Sequence, residues 1–159
     1  MAHISKVKYL GYSFYRYKGK CRFRVHPKSV TKMKNRIREL TDRNKGISNE
    51  VRKKKYQEYV RGWVEYFGLA DMKGLLKTTD EWARCRIRTV YWKQWKKIKT
   101  KYRMLKVLGL EDWKAKELAN SRKGYWRMAK VLNQIFSNKI IAKLGYTFML
   151  DYYLTVCEN

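Results

Sequence analysis

The sequence predicts a mainly α fold: an N-terminal β-hairpin, then a helical bundle, then a smaller C-terminal helical segment. Three observations carry this reading. Apolar residues alternate with polar ones only before Pro27, the chain's single proline. From Ser29 onward they recur with a helical period near 3.6. The hydrophobic fraction of 45% and aromatic fraction of 15% are far above those of a disordered basic tail, so 159 residues can bury a core.

The hairpin is read from Val7–Arg16, rich in aromatics, and Cys21-Arg22-Phe23-Arg24-Val25, where apolar and basic residues alternate. Tyr17-Lys18-Gly19-Lys20 supplies the turn, with Gly19 free to take a positive φ. Alternation places Arg22 and Arg24 on one face, opposite Cys21, Phe23 and Val25. An isolated hairpin is marginal in water, so it must pack on something.

The first helix carries a stripe of Val30, Met33, Ile37 and Leu40 and is expected to end at Asn44-Lys45-Gly46, with Gly46 as its C′ residue. Ser48 is positioned to cap a second helix reaching Phe67, with Tyr56, Tyr59, Val60, Trp63 and Phe67 on one face as core. Gly62 within it costs about 1 kcal/mol against Ala, which hints at close approach by another backbone or a phosphate, with tight helix packing the favoured cause. Thr78-x-x-Glu81 has the form of a capping box opening a third helix to Lys97. That helix is aromatic and basic almost all round, so it is either wedged between packed layers or half covered by nucleic acid. Short helices are expected over Tyr102–Val107, Glu111–Asn120 and Lys123–Phe136, the last with Tyr125, Met128, Ala129, Leu132, Ile135 and Phe136 as its apolar face. Ser137 and Thr147 can cap two more, with Gly145 between them.

Charge narrows the function. Thirty-nine Lys and Arg against 13 Asp and Glu give a formal +26, which repels itself unless a polyanion neutralises it. Nucleic acid is the polyanion this implies. The excess is concentrated before residue 110: residues 1–27 carry a net +7, 28–109 a net +16 and 110–159 only +3. No apolar run is long enough to span a membrane, and the first residues lack the apolar core of a signal segment, so a cytoplasmic location is expected.

Signs of catalysis are sparse. Cys21, Cys85 and Cys157 are far apart and without metal-ligand spacing to His3 or His26, so no zinc site is expected and the thiols are read as reduced. Asp80-Glu81 and Glu111-Asp112 stand at predicted helix starts, where the helix dipole accounts for them. Ser5 and Ser13 have no neighbouring base and acid, and no glycine-rich phosphate loop precedes a helix. No cofactor and no catalytic residue are assigned.

Particular strings carry a family resemblance. Tyr9-Leu10-Gly11-Tyr12-Ser13-Phe14 resembles the last reverse-transcriptase block, a hairpin that grips the primer beside the palm. His26-Pro27-Lys28-Ser29, Ile37-Arg38-Glu39-Leu40-Thr41, Tyr59–Phe67, Asp80-Glu81-Trp82 and Trp92-Lys93-Gln94-Trp95-Lys96-Lys97 follow in order. Together they resemble the maturase-specific domain, the X or thumb domain, of group II intron-encoded reverse transcriptases. Arg122–Arg127 resembles the block leading into that family's DNA-binding region. The resemblance implies a hairpin at 1–27, a thumb-like helical domain at 28–109 and the start of a DNA-binding region at 110–159. It implies a protein that holds intron RNA so that the RNA folds and splices itself. The departures matter as much. The family's palm bears a Tyr-Ala-Asp-Asp type string and its optional endonuclease bears a cysteine–histidine pattern; neither occurs here, and Ile98 stands where relatives often place proline. This chain is therefore expected neither to polymerise nor to cut.

The expected RNA contacts are Arg36, Arg38, Lys53, Lys54, Arg61, Arg84, Arg86, Arg88, Lys93, Lys96 and Lys97, joined by Arg122, Lys123, Trp126 and Arg127. A broad cationic surface suits RNA duplexes, which are read largely through shape, phosphates and 2′-hydroxyls. Trp126 is the better candidate for stacking an unpaired base, Tyr125 the better candidate for core. Two rival readings are a thumb subunit docking onto a palm encoded separately, through exposed aromatics of residues 9–15, and a truncated remnant with nonspecific RNA affinity. Target DNA is a further partner through 110–159, minor because of that segment's low charge.

Overall fold

The computed structural model describes residues 7–157. His3, Ser5 and the first half of the stretch read for a signal segment, residues 1–12, lie outside them. The described order is β1 (Tyr12–Tyr17), β2 (Lys20–Val25), α1 (Pro27–Leu40), α2 (Asn49–Tyr66), α3 (Lys73–Gln94), α4 (Ile98–Val107), α5 (Asp112–Ala119), α6 (Tyr125–Ile135), α7 (Asn138–Lys143) and α8 (Met149–Cys157). This is the mainly helical fold with an N-terminal antiparallel hairpin that the sequence predicts. The described residues form two compact units. The first comprises residues up to Leu40, Asn49–Asp80 and those from Thr147; the second comprises Thr41–Ser48 and Glu81–Tyr146. Helix α3 runs through both.

In the first unit, β1 and β2 pair from Tyr12 opposite Val25 to Tyr17 opposite Lys20. Lys18 (φ 48°) and Gly19 (φ 77°) make a two-residue turn in the left-handed region, whose twist matches that of the strands. The first strand is shorter than its aromatic run because the chain turns at Leu10 and Gly11. Gly11 has φ 87°, and a Cβ there would stand 3.0 Å from the Phe67 ring and 3.1 Å from Ser29 Oγ. Its carbonyl accepts both the His26 amide (2.9 Å) and the Ser29 hydroxyl (3.1 Å). The support a hairpin needs is the end of α2: the Tyr12 hydroxyl donates to the Tyr66 carbonyl (2.6 Å), and the Tyr66 hydroxyl donates to the Leu10 carbonyl (2.8 Å).

Helix α1 starts at Pro27, where a missing N–H costs nothing, and buries Met33, Ile37 and Leu40 as the stripe predicts. It ends at Leu40, before the expected Asn44-Lys45-Gly46, and Gly46 is not among the residues with positive φ. Helix α2 buries Tyr56, Val60, Trp63 and Val64, with Phe67 buried just beyond its end. The same side takes in Arg52, only 1% exposed, which donates to the Leu40 carbonyl at the end of α1 (2.9 Å). Tyr59 is half-buried, and loss of water pushes its phenol up to about 12, with Arg36 opposing the shift. A folded-state pKa above the unfolded value near 10 means stability is fully present below pH 10 and declines toward pH 12. Absorbance titration of wild type against Tyr59→Phe, alongside urea melts at pH 9 and 11, checks this; the Phe variant is expected to lose less stability between those pH values.

Gly62 meets nothing within 4 Å of where a Cβ would stand, so the close approach suggested by its helix cost is not found. Gly62→Ala is expected to stabilise the protein by about 0.5–1 kcal/mol in urea denaturation.

The capping-box reading of Thr78 and Glu81 is corrected. Helix α3 begins at Lys73, so both are interior, and the Thr78 hydroxyl donates back to the Gly74 (3.2 Å) and Leu75 (3.0 Å) carbonyls. Asp80 does serve a helix start, but that of α8: its carboxylate accepts the Met149 (3.0 Å) and Leu150 (2.8 Å) amides. Helix α8 returns beside α2, with the Phe148 ring 6.0 Å from that of Tyr56 and the Tyr152 hydroxyl donating to Glu65 (2.5 Å).

In the second unit, α3 buries Ala83, Ile87 and Val90 on one side and Arg88 and Trp92 on another, with Trp95 just past its end. Of the two readings for a helix aromatic and basic all round, wedging between packed elements accounts for these residues. Trp95 lies 6.0 Å from Trp92 and 6.3 Å from Phe136, which also meets Tyr91 at 5.2 Å. Helix α3 stops at Gln94 rather than Lys97, and Ile98 opens α4. Helices α4 and α5 pack as a pair, joined by the Tyr102 hydroxyl donating to Asp112. Helix α6 buries Met128, Ala129 and Leu132, and Phe136 just after it, as its period predicts. Tyr125, expected in that core, is 37% exposed and stacks instead against a guanidinium. The three cysteines are unbonded; Cys21 and Cys157 are exposed and Cys85 half-buried.

Candidate nucleic-acid interface

The expected cationic contacts, Arg84 apart, separate into three groups by what the fold does with them. The first group is committed inside the protein. Arg88 is 1% exposed; its Nε donates to the Phe136 carbonyl (2.8 Å) and its Nη2 to Asn138 Oδ1 (2.7 Å). Burial pushes its guanidinium below the ordinary pKa, with neighbouring Cys85 opposing. Arg88 is therefore removed from the set that could reach a phosphate. Arg86 is half-buried, donates to the Thr41 hydroxyl (2.8 Å) and lies 5.3 Å from the Trp82 ring. Lys93, also half-buried, donates to Asn44. Together these two fasten the 41–48 connection against α3, which is why α1 cannot continue to Gly46.

The second group is at the surface but has local acceptors. Arg36 pairs with Glu39 (2.5 Å), Lys53 with Glu50 (2.8 Å), and Arg38 donates to Asn35 (2.7 Å). Pairs of this exposed kind are weak, so a phosphate can compete for the cation at small cost.

The third group is exposed and has no ion-pair partner among the described residues: Lys54 and Arg61 in the first unit, and Lys96, Lys97, Arg122, Lys123 and Arg127 in the second. Lys54 and Arg61 are seven residues apart on α2, hence on one face. Arg122 and Lys123 precede α6, whose first turn carries Trp126, 44% exposed, and Arg127. Next to Trp126, the Arg43 guanidinium stands 4.4 Å from the Tyr125 ring centre, a cation–π contact that holds a further positive charge there. The fold thus gathers Arg43, Arg122, Lys123, Trp126 and Arg127 around one helix end. Arg43 is not among the expected contacts, because no sequence period links it to a residue 82 positions away.

Arg84, half-buried, lines a polar cavity of about 340 Å³ in the second unit with Glu81, Cys85, Arg88, Lys130, Asn133 and Asn138. Among the described residues, no group of three or more His, Cys, Asp or Glu is placed to hold a metal ion, and no helix is long and apolar enough to cross a membrane.

The sequence pattern of the family described as "Group II intron, maturase-specific domain" matches residues 30–109, half of the chain. Comparison with curated proteins gives no match. The matched stretch takes in nearly all of α1 and the whole of α2, α3 and α4, the elements that carry the expected contacts from Arg36 to Lys93, and the link between α3 and α4 that holds Lys96 and Lys97. Since the motifs that resemble this domain fall in order on those helices, the chain belongs to the group II intron maturase-specific domain family.

Proposed function

We propose that the protein binds group II intron RNA through its phosphates and assists the folding and splicing of that RNA, with no catalysis of its own. Residues 28–109 are read as the thumb-like maturase module and 110–159 as a segment adding local basic sites. The observation that carries the reading is the third group of cations: in a chain of this family, seven exposed Lys and Arg present charge that no acidic side chain among the described residues neutralises. Trp126 supports it, as an aromatic ring left in solvent among cations is suited to stack an unpaired base. Lys54, Arg61, Lys96, Lys97, Arg122, Lys123 and Arg127 are the principal contacts in this proposal, with Arg36, Arg38, Lys53 and Arg84 secondary; Arg86 and Lys93, held inside the second unit, are left out of it.

The test compares binding to folded intron RNA with binding to a scrambled duplex of equal length at equal salt. The intron is expected to bind at least about tenfold tighter, a difference of about 1.4 kcal/mol. Equal binding to both would leave only nonspecific affinity and overturn the maturase role.

A second reading has its own observation. Tyr9 (64% exposed), Leu10 (65%), Phe23 (42%) and Leu69 (79%) surround an apolar hollow of about 240 Å³ beside the hairpin. Such a patch fits docking onto a palm-bearing reverse transcriptase fragment, since large exposed apolar surfaces mark interfaces. Co-purification with such a fragment, lost on Leu69→Lys, tests it.

A further inference from the structure

The cavity beside Arg84 is built by three helices of the second unit. Glu81, Arg84, Cys85 and Arg88 fall at i, i+3, i+4 and i+7, one stripe of α3; Lys130 and Asn133 face it from α6, and Asn138 from α7. At about 340 Å³ it has room for on the order of ten waters, the scale of small-ligand sites and more than a phosphate alone would fill. Its lining carries three cations against one carboxylate, so it favours a ligand attached to negative charge. Arg88 fixes one part of its chemistry. A guanidinium only donates, so Asn138 must turn Oδ1 toward it, and the two hydrogens on Asn138 Nδ2 remain without an acceptor among the described residues. Glu81, exposed and with no hydrogen bond or ion pair among the described residues, supplies an acceptor at the rim.

We propose that this cavity receives one unpaired base of the bound RNA, a base that carries an exocyclic amino group. Asn133 and Asn138 supply neutral donors and acceptors for the base edge, the Arg84 guanidinium offers a plane to stack on, and Lys130 takes the attached phosphate. Glu81 accepts from the amino group and disfavours uracil, whose carbonyl at the corresponding position would face a carboxylate. This rests on the RNA-binding reading above and adds a base-selective site to what is otherwise phosphate recognition.

The experiment uses the full chain with three RNA hairpins: fully paired, carrying a single bulged cytosine, and carrying a single bulged uracil. The cytosine bulge is expected to bind about tenfold tighter than the paired hairpin, the worth of one or two well-placed hydrogen bonds. Asn133→Ala, a neutral change at an exposed position, is expected to erase most of that advantage while leaving affinity for the paired hairpin unchanged. Glu81→Gln, whose amide both donates and accepts, is expected to abolish the preference for cytosine over uracil. Equal binding of wild type to all three hairpins overturns the cavity proposal and leaves the RNA-binding function standing. Binding to none of them overturns both. Cytidine monophosphate binding as tightly as the bulged hairpin would assign the cavity to a free nucleotide and likewise overturn the proposal.

Discussion

Between 50 and 200 mM salt, affinity for folded intron RNA is expected to fall by about 10³–10⁵-fold. Each Lys or Arg seated on a phosphate releases condensed counterions, and six to ten such contacts produce a loss of about that size. The seven exposed cations without ion-pair partners among the described residues supply most of that number. Arg36 and Lys53 contribute less, because each must first leave a carboxylate. Arg88 contributes nothing, since its donors are used inside the protein. A plot of log K against log salt should therefore have a slope steeper than about −5. A slope shallower than about −2 would mean one or two phosphate contacts, and the cationic surface would lose its assigned role. Replacing Lys96, Lys97 and Arg127 together by Ala should flatten the slope by about 2–3 without changing thermal stability, as all three are exposed and unpaired.

The second large effect is on the fold. Asp80→Ala is expected to cost about 2–4 kcal/mol, lowering Tm by roughly 5–15 °C. The carboxylate is 1% exposed and accepts two amides at the start of α8. Hydrogen bonds to a charged acceptor are each worth about 1.5–3 kcal/mol, and loss of a helix cap alone costs about 1 kcal/mol. Removing Asp80 also leaves the Met149 amide buried with no partner to replace it. Asp80→Asn keeps one acceptor oxygen and should fall between Ala and wild type. Glu81→Gln, one residue further on and exposed, should stay within about 0.5 kcal/mol of wild type. Urea denaturation of the four proteins checks the order; an Asp80→Ala variant as stable as wild type would show that α8 holds its place without the cap.

The elements most legible in the sequence are those whose own period decides them. The stripes of α1, α2 and α6 each repeat at three- and four-residue steps, and their buried residues follow from that repetition alone. What the sequence conceals is settled by distant partners. Arg88 reads as a surface cation, yet its acceptors lie 48 and 50 residues away. A local signal was present, for Arg88, Trp92 and Trp95 share one stripe, as do Arg52, Tyr56, Val60 and Trp63. A cation in register with buried aromatics should be read as buried with its carbonyl partners elsewhere. The end of α1 misleads for a similar reason: nothing near Thr41 stops a helix, but Arg86 and Lys93 capture Thr41 and Asn44 from α3. Asp80 has the residue type of a helix start and does serve one, but the helix is α8 rather than α3, a partner 69 residues away in sequence.

The hold of Asp80 on α8 has a bearing on how the protein is made. The residues from Thr147 leave the ribosome after every segment of the second unit, so the first unit, though it contains the hairpin and α1, cannot close until they have emerged. The second unit has all of its segments by residue 146 and is free to form earlier. By the same logic the stretch 30–109, continuous as a family pattern, is not an excisable piece: cut there, it would leave Asp80 and Tyr56 facing water where α8 belongs.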